Sequence, residues 1–121
     1  MKKLIIIPTY NENKNIVILL NKIIKLYNSK FQILVIDDNS PDGTSNEVIK
    51  YVKKYKFIKL KIRQKKLGIG SAHKYGIKYA IKKNFNILIT MDADGTHNPS
   101  YIRKFLYLIK NYDLITTNRF L

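Results

Sequence analysis

Five of the eight acidic residues in this chain crowd into two short stretches, Asp37-Asp38-Asn39-Ser40-Pro41-Asp42-Gly43 and Asp92-Ala93-Asp94. A sixth, Glu12, follows Pro8-Thr9-Tyr10-Asn11. The chain otherwise carries 23 lysines and arginines and a net charge of +15, so solubility does not explain that crowding. Clustered carboxylates repel one another unless a cation or hydrogen-bond donors compensate. In an extended segment, Asp92-x-Asp94 projects both carboxylates to one side, where they can address one hard cation. Mg²⁺ or Mn²⁺ held by two carboxylates, waters and substrate phosphate oxygens is a chemically sensible site. Asp37 and Asp38 can accept from a base N–H or a ribose hydroxyl, Tyr10 offers a ring for stacking, and Glu12 can bond a nucleotide or the chain itself. Purely structural roles compete with each: Asp94 ending a strand, Asp92 bonding turn amides, Glu12 opening a helix. Asp37 is expected to be functional and Asp42 structural, favouring a helix dipole. His73 and His97 are expected to be surface or hydrogen-bonding residues.

The elements that must position these residues alternate regularly. Residues 4–7 form a short apolar strand, and Ile16, Leu19, Leu20, Ile23, Ile24 and Tyr27 form a helical stripe. A second strand spans 31–36, and Thr44-Ser45-Asn46-Glu47 reads as a capping box opening a second helix. A third strand spans 57–62, and Ser71 is placed to cap a helix whose Ala72, Gly76 and Ala80 recur every four residues. A fourth strand spans 86–91, Asn98-Pro99 sets a cap and first helical turn, and 113–117 completes a fifth strand. Fully apolar strands alternating with helices predict an α/β doubly wound domain, its mostly parallel sheet covered on both faces. Ligands of such sheets bind beyond the carboxyl ends of the strands, where all three acidic stretches lie.

Composition removes several function classes. With no cysteine and two histidines, disulfide scaffolds, thiolate zinc sites and histidine-rich metal sites are out. The longest apolar run, 16–20, is far short of the ~20 residues that span a bilayer. Pro8 cuts short the apolar run after Met1-Lys2-Lys3, which argues against a signal peptide. The expectation is a cytoplasmic protein. The P-loop pattern is absent, and His73 occupies the last glycine position of a dinucleotide fingerprint starting at Gly68. Gly68 and Gly70 are expected instead to serve chain reversal and close helix packing. The acid pairs follow the second and fourth strands, which argues against a phosphoacceptor receiver domain. The basic surface suits an anionic partner, although dispersed lysines also simply solvate helix faces. No nucleic-acid motif is present, and nucleic acid is not an expected partner.

Four motifs in order carry a family likeness: Ile6-Ile7-Pro8-Thr9-Tyr10-Asn11-Glu12, Val35-Ile36-Asp37-Asp38-Asn39-Ser40-Pro41-Asp42-Gly43-Thr44, Lys66-Leu67-Gly68-Ile69-Gly70-Ser71-Ala72 and Met91-Asp92-Ala93-Asp94. Together they resemble family 2 glycosyltransferases of the GT-A fold, and within them the dolichyl-phosphate mannosyltransferases and bacterial polyprenyl-phosphate glycosyltransferases. The resemblance implies inverting, metal-dependent transfer of a hexose, mannose from GDP-mannose first among them, from a nucleotide-diphosphate sugar to a polyprenyl phosphate. It implies that Pro8, Tyr10, Glu12, Val35 and Asp37 contact the nucleoside. Asp92, Ala93 and Asp94 would hold diphosphate and metal, Mg²⁺ or Mn²⁺, and Arg119 would lie near the diphosphate. Asp94 and Arg119 are the implied catalytic residues. Thr96 stands where some relatives place a further metal ligand. An anionic membrane surface is an implied partner, at the cytoplasmic membrane face. The chain stops at Leu121, short of a family catalytic domain, so the expectation is a single incomplete domain over 1–121, with a complementary subunit as a further partner. The alternative is a nucleotide-sugar-binding fragment without transfer activity, or one part of a split enzyme.

Overall fold

The structure, a computed structural model, describes residues 1–110. The expected strand at 113–117 and Arg119 lie outside the described residues.

Four parallel strands form one sheet: β1 (Lys3–Thr9), β2 (Gln32–Asp37), β3 (Ile58–Ile62) and β4 (Ile87–Thr90), in the order β3-β2-β1-β4. Helices α1 (Asn13–Tyr27), α2 (Thr44–Lys54), α3 (Ile69–Lys82) and α4 (Ile102–Leu108) connect or follow them, α4 being preceded by a 3₁₀ turn at Pro99–Tyr101. The central strands β1 and β2 are apolar over residues 4–7 and 33–36 because both of their faces are covered. Ile5, Ile7, Ile33 and Val35 pack with Ile16, Leu20 and Ile23 of α1 and Val48 of α2. Leu4, Ile6, Leu34 and Ile36 pack on the opposite face with Ala72 and Ala80 of α3. Strand parity thus divides the core in two, as a pleated backbone requires. The edge strand β3 exposes Lys59 and Lys61, charges that discourage pairing with another chain.

The chain runs from β1 outward to β3 and then returns through α3 to β4 on the other side of β1. The order of strands therefore reverses at β1, and loops on either side of β1 splay apart at the carboxyl ends. Close approach of α3 to the sheet is made at Gly76, where an added Cβ would stand 2.3 Å from Ile6 Cδ1. Gly70 meets no such neighbour, so its expected packing role does not hold. Gly68 instead takes φ +92°, the reversal that leads into α3.

Two expected caps are corrected. Thr44 is already helical, because Gly43 in the left-handed region precedes the helix and no side chain caps it. Helix α3 likewise begins two residues before Ser71, after Gly68. In both cases a neighbouring loop claims the hydroxyl. The Asn98 cap does form, its side chain accepting from the Ser100 N–H with Pro99 in the first turn.

Replacing Gly76 by Ala is expected to destabilise the fold by about 1 kcal/mol in urea melts, overpacking of about 1–3 kcal/mol being partly offset by alanine's better helix propensity. Adding Ile6→Val should recover part of that loss, since it removes the Cδ1 methyl that the new Cβ meets.

Candidate functional site

The first wall of the site is held by Asp37. Its side chain is fully buried, Oδ1 accepting from the Thr9 hydroxyl at 2.7 Å and the Ser40 hydroxyl at 2.6 Å, and Oδ2 from the Ser40 N–H at 2.9 Å. Ser40 Oγ in turn accepts the Asn11 N–H at 2.8 Å. The next two amides follow suit, Glu12 N–H donating to Thr44 Oγ1 at 3.0 Å and Asn13 N–H to Asp42 Oδ2 at 3.2 Å. Three consecutive amides after Tyr10 are thus fastened to the loop after β2. Asn11 makes the turn at φ 55°, a conformation asparagine tolerates better than most residues. Burial tends to raise the Asp42 carboxyl, but bonds from Thr44 and Asn13 outweigh it and hold the pKa below its ordinary value. Asp42 has the structural role expected of it.

The second wall is held by Asp38. Arg63 Nε donates to Oδ1, and Nη2 donates to Oδ2 at 2.9 Å, with both side chains 7% exposed. Oδ2 also accepts the N–H groups of Leu67 and Gly68 at 2.9 and 3.2 Å. Arg63 spends its remaining donors on Ser71 Oγ at 2.8 Å and the Gly68 carbonyl at 3.2 Å. The loop between β3 and α3 is therefore folded back onto the end of β2. Burial pushes the Asp38 carboxyl up, but the Arg63 guanidinium and the two amides prevail and lower its pKa.

The third wall follows β4. Asp94 Oδ1 accepts from the Thr96 N–H at 3.0 Å and its hydroxyl at 2.6 Å. The Asp92 N–H donates to His97 Nδ1 at 2.8 Å, and His97 Nε2 lies 3.8 Å from Asp92 Oδ2. The buried Tyr27 hydroxyl donates to the Pro99 carbonyl at 2.6 Å, tying α1 to the segment after this loop. Burial raises its pKa.

These walls enclose an open cavity of about 430 Å³ at the carboxyl end of β1. Pro8, Tyr10, Glu12, Asp92, Ala93 and Asp94 all line it, bringing together residues from distant parts of the sequence. Val35 and Asp37 do not line it. Both have the parity that faces α1 and α2, Val35 within that core and Asp37 within the bonds described above. Ile36 and Asp38, on the α3 side, line the cavity in their stead. The donor set fits a hard divalent cation shared with a phosphorylated ligand, since Asp92 and Asp94 reach the same cavity. Among the described residues no group of three or more His, Asp or Glu side chains is placed to hold a metal ion. No helix among them is long and apolar enough to cross a membrane.

Fold and cavity define an α/β domain of the GT-A type, its cleft opening where the strand order reverses. The glycosyl transferase family 2 model matches residues 4–120, and the chain belongs to that family. It is 31% identical over 119 residues to the undecaprenyl-phosphate mannosyltransferase of Micrococcus luteus, covering 98% of this chain and 49% of that protein. The mannosyltransferase PcManGT of Pyrobaculum calidifontis, solved with GDP-Man and Mn²⁺, superposes with a TM-score of 0.67 at 26% identity, over 77% of this chain and 27% of the other. Residues 1–349 of S. aureus TarS, solved with UDP-GlcNAc, give a TM-score of 0.75 at 28% identity, over 93% and 32%. The chain thus spans about half the length of the curated relative and about a third of the solved ones.

Sequence reasoning missed Arg63, which sits among lysines without any motif of its own. An available clue was its chemistry: an arginine just past a strand suits a bidentate partner such as Asp38. Losing one member of this buried pair strands the other, so Arg63→Met is expected to cost about 3–5 kcal/mol in denaturant unfolding. The lowered pKa of Asp38 fixes the sign of the pH effect. Its stabilisation is fully present above the unfolded-state pKa of about 3.9 and is lost as pH falls through the lower folded value. Acid titration of stability should therefore be shallower in Asp38→Asn than in the wild type.

Proposed function

We propose that this chain is the donor-binding part of a glycosyltransferase that moves a hexose from a nucleoside-diphosphate sugar to a polyprenyl phosphate, with mannose from GDP-mannose as the preferred donor. The observation that carries the proposal is the meeting of Tyr10 with Asp92 and Asp94 in one cavity at the strand-order reversal. Tyr10 supplies a ring for the base, and the two carboxylates supply the seat for a metal-bound diphosphate. Mg²⁺ or Mn²⁺ bound there would neutralise the diphosphate and stabilise it as a leaving group. Pro8, Glu12 and Ala93 shape the cavity around the donor, while Asp37 serves by fastening the loop that carries Tyr10. Arg119 is assigned to the diphosphate by its motif, as a further cation for the departing charge.

The acceptor chemistry is undemanding of the protein. A phosphate monoester is anionic at neutral pH, so its oxygen attacks the sugar C1 without a general base as the bond from C1 to the diphosphate breaks. One displacement inverts the configuration at C1. The net charge of +15 suits both the acceptor headgroup and an anionic membrane surface, which supports a location at the cytoplasmic membrane face. The chain spans 49% of its mannosyltransferase relative, so sugar transfer by the whole protein is part of this proposal.

Calorimetric titration with GDP-mannose tests the donor site. Binding is expected in Mn²⁺, weakened at least tenfold by chelation and by Asp92→Asn. Equal affinity with and without the metal, or an unaffected Asp92→Asn, would refute the site. Tighter binding of a UDP-sugar would refute the GDP-mannose assignment alone.

A further inference from the structure

The cavity has one basic side chain among its described lining residues, Lys66, against four acids, Glu12, Asp38, Asp92 and Asp94. Asp38 is neutralised by Arg63. Lys66 extends from the loop between β3 and α3 and places its Nζ 4.5 Å from the centroid of the Tyr10 ring. Its position is built rather than incidental. The loop is held at its start by Asn39 Nδ2 donating to the Gln64 carbonyl at 3.3 Å, and at its end by the Leu67 and Gly68 amides on Asp38. The opposing wall is equally fixed, through the amides of Asn11, Glu12 and Asn13. Two anchored loops therefore present an ammonium and an aromatic ring to each other across the cavity.

A base stacking on that face of Tyr10 cannot share it with the ammonium. We infer that Lys66 is a donor-positioning residue: it covers Tyr10 in this structure, yields the ring to an arriving nucleobase, and turns its charge onto the diphosphate of the same ligand. This inference rests on the nucleotide-sugar reading above and adds to it a protein cation that no metal replaces. An exposed ammonium held by a ring face alone is weakly bound and free to leave, while a charge-assisted bond to phosphate is stronger. The exchange favours ligands that bring base and diphosphate together. It does not reward a bare base, which gains the ring but gives the ammonium nothing.

The test is GDP binding by calorimetry in Mn²⁺ at several salt concentrations, for the wild type, Lys66→Met and Lys66→Arg. Methionine keeps the length and apolar stem of the side chain and removes only the charge. The expected result is about tenfold weaker GDP binding by Lys66→Met, with a flatter salt dependence, and recovery of both in Lys66→Arg. Unchanged GDP affinity in Lys66→Met would overturn the inference while leaving the donor reading intact. So would a loss that keeps the wild-type salt dependence and that arginine does not restore, because that pattern belongs to a passive wall. A wild type that binds neither GDP nor UDP would overturn the donor reading and this inference together.

Discussion

Two consecutive carboxylates at the end of one central strand organise two of the three walls of the cavity. Successive residues of a strand point to opposite faces, so Asp37 and Asp38 cannot serve the same partner. Asp37 turns toward Thr9 and Ser40 and gathers the loop after β1. Asp38 turns toward Arg63 and gathers the loop after β3. Buried carboxylates are costly unless hydrogen-bonded, and here the donors that satisfy them are the very groups that must be immobilised. The same bonds therefore stabilise the acids and shape the site.

The sheet determines where that arrangement can matter. Strand order reverses at β1, opening a gap that α3 and the loop after β4 flank from either side. Gly76 lets α3 lie close on Ile6, and Ala72 of the same helix lines the cavity floor with Ile36. Four of the eight acids of this strongly basic chain line the gap. Asp38 and Asp42 have their charges answered within the protein, by Arg63 and by hydroxyl and amide donors. Asp92 and Asp94 reach the cavity itself, the sensible place for a cation brought with a phosphorylated ligand.

Much of this was legible in the residues. Apolar runs of strand length announced a sheet covered on both faces, and the four-residue recurrence of Ala72, Gly76 and Ala80 marked the helix surface that packs closest. Asn98-Pro99 marked its helix start correctly, the Asn98 side chain accepting from the Ser100 N–H two residues on. The failures share a cause. Thr44 and Ser71 look like caps in a linear reading, yet the Thr44 hydroxyl is taken by the loop after β1 and the Ser71 hydroxyl by Arg63 at the end of β3. The pleat places Val35 on the α1 and α2 side and Ile36 and Asp38 on the cavity side, an arrangement that no linear motif displays. Arg63 carried no local pattern, since its importance arises only when β3 lies beside β2. What depended on local periodicity was readable, and what depended on which loops meet was not.

The most direct measurement is a crystal structure of the chain grown with GDP and Mn²⁺, using the anomalous scattering of manganese to locate the metal. A manganese peak at Asp92 and Asp94 and next to the diphosphate, with the base against Tyr10, is the expected result. A manganese ion or nucleotide seated outside this cavity, with Asp92 and Asp94 making no contact to either, would contradict it.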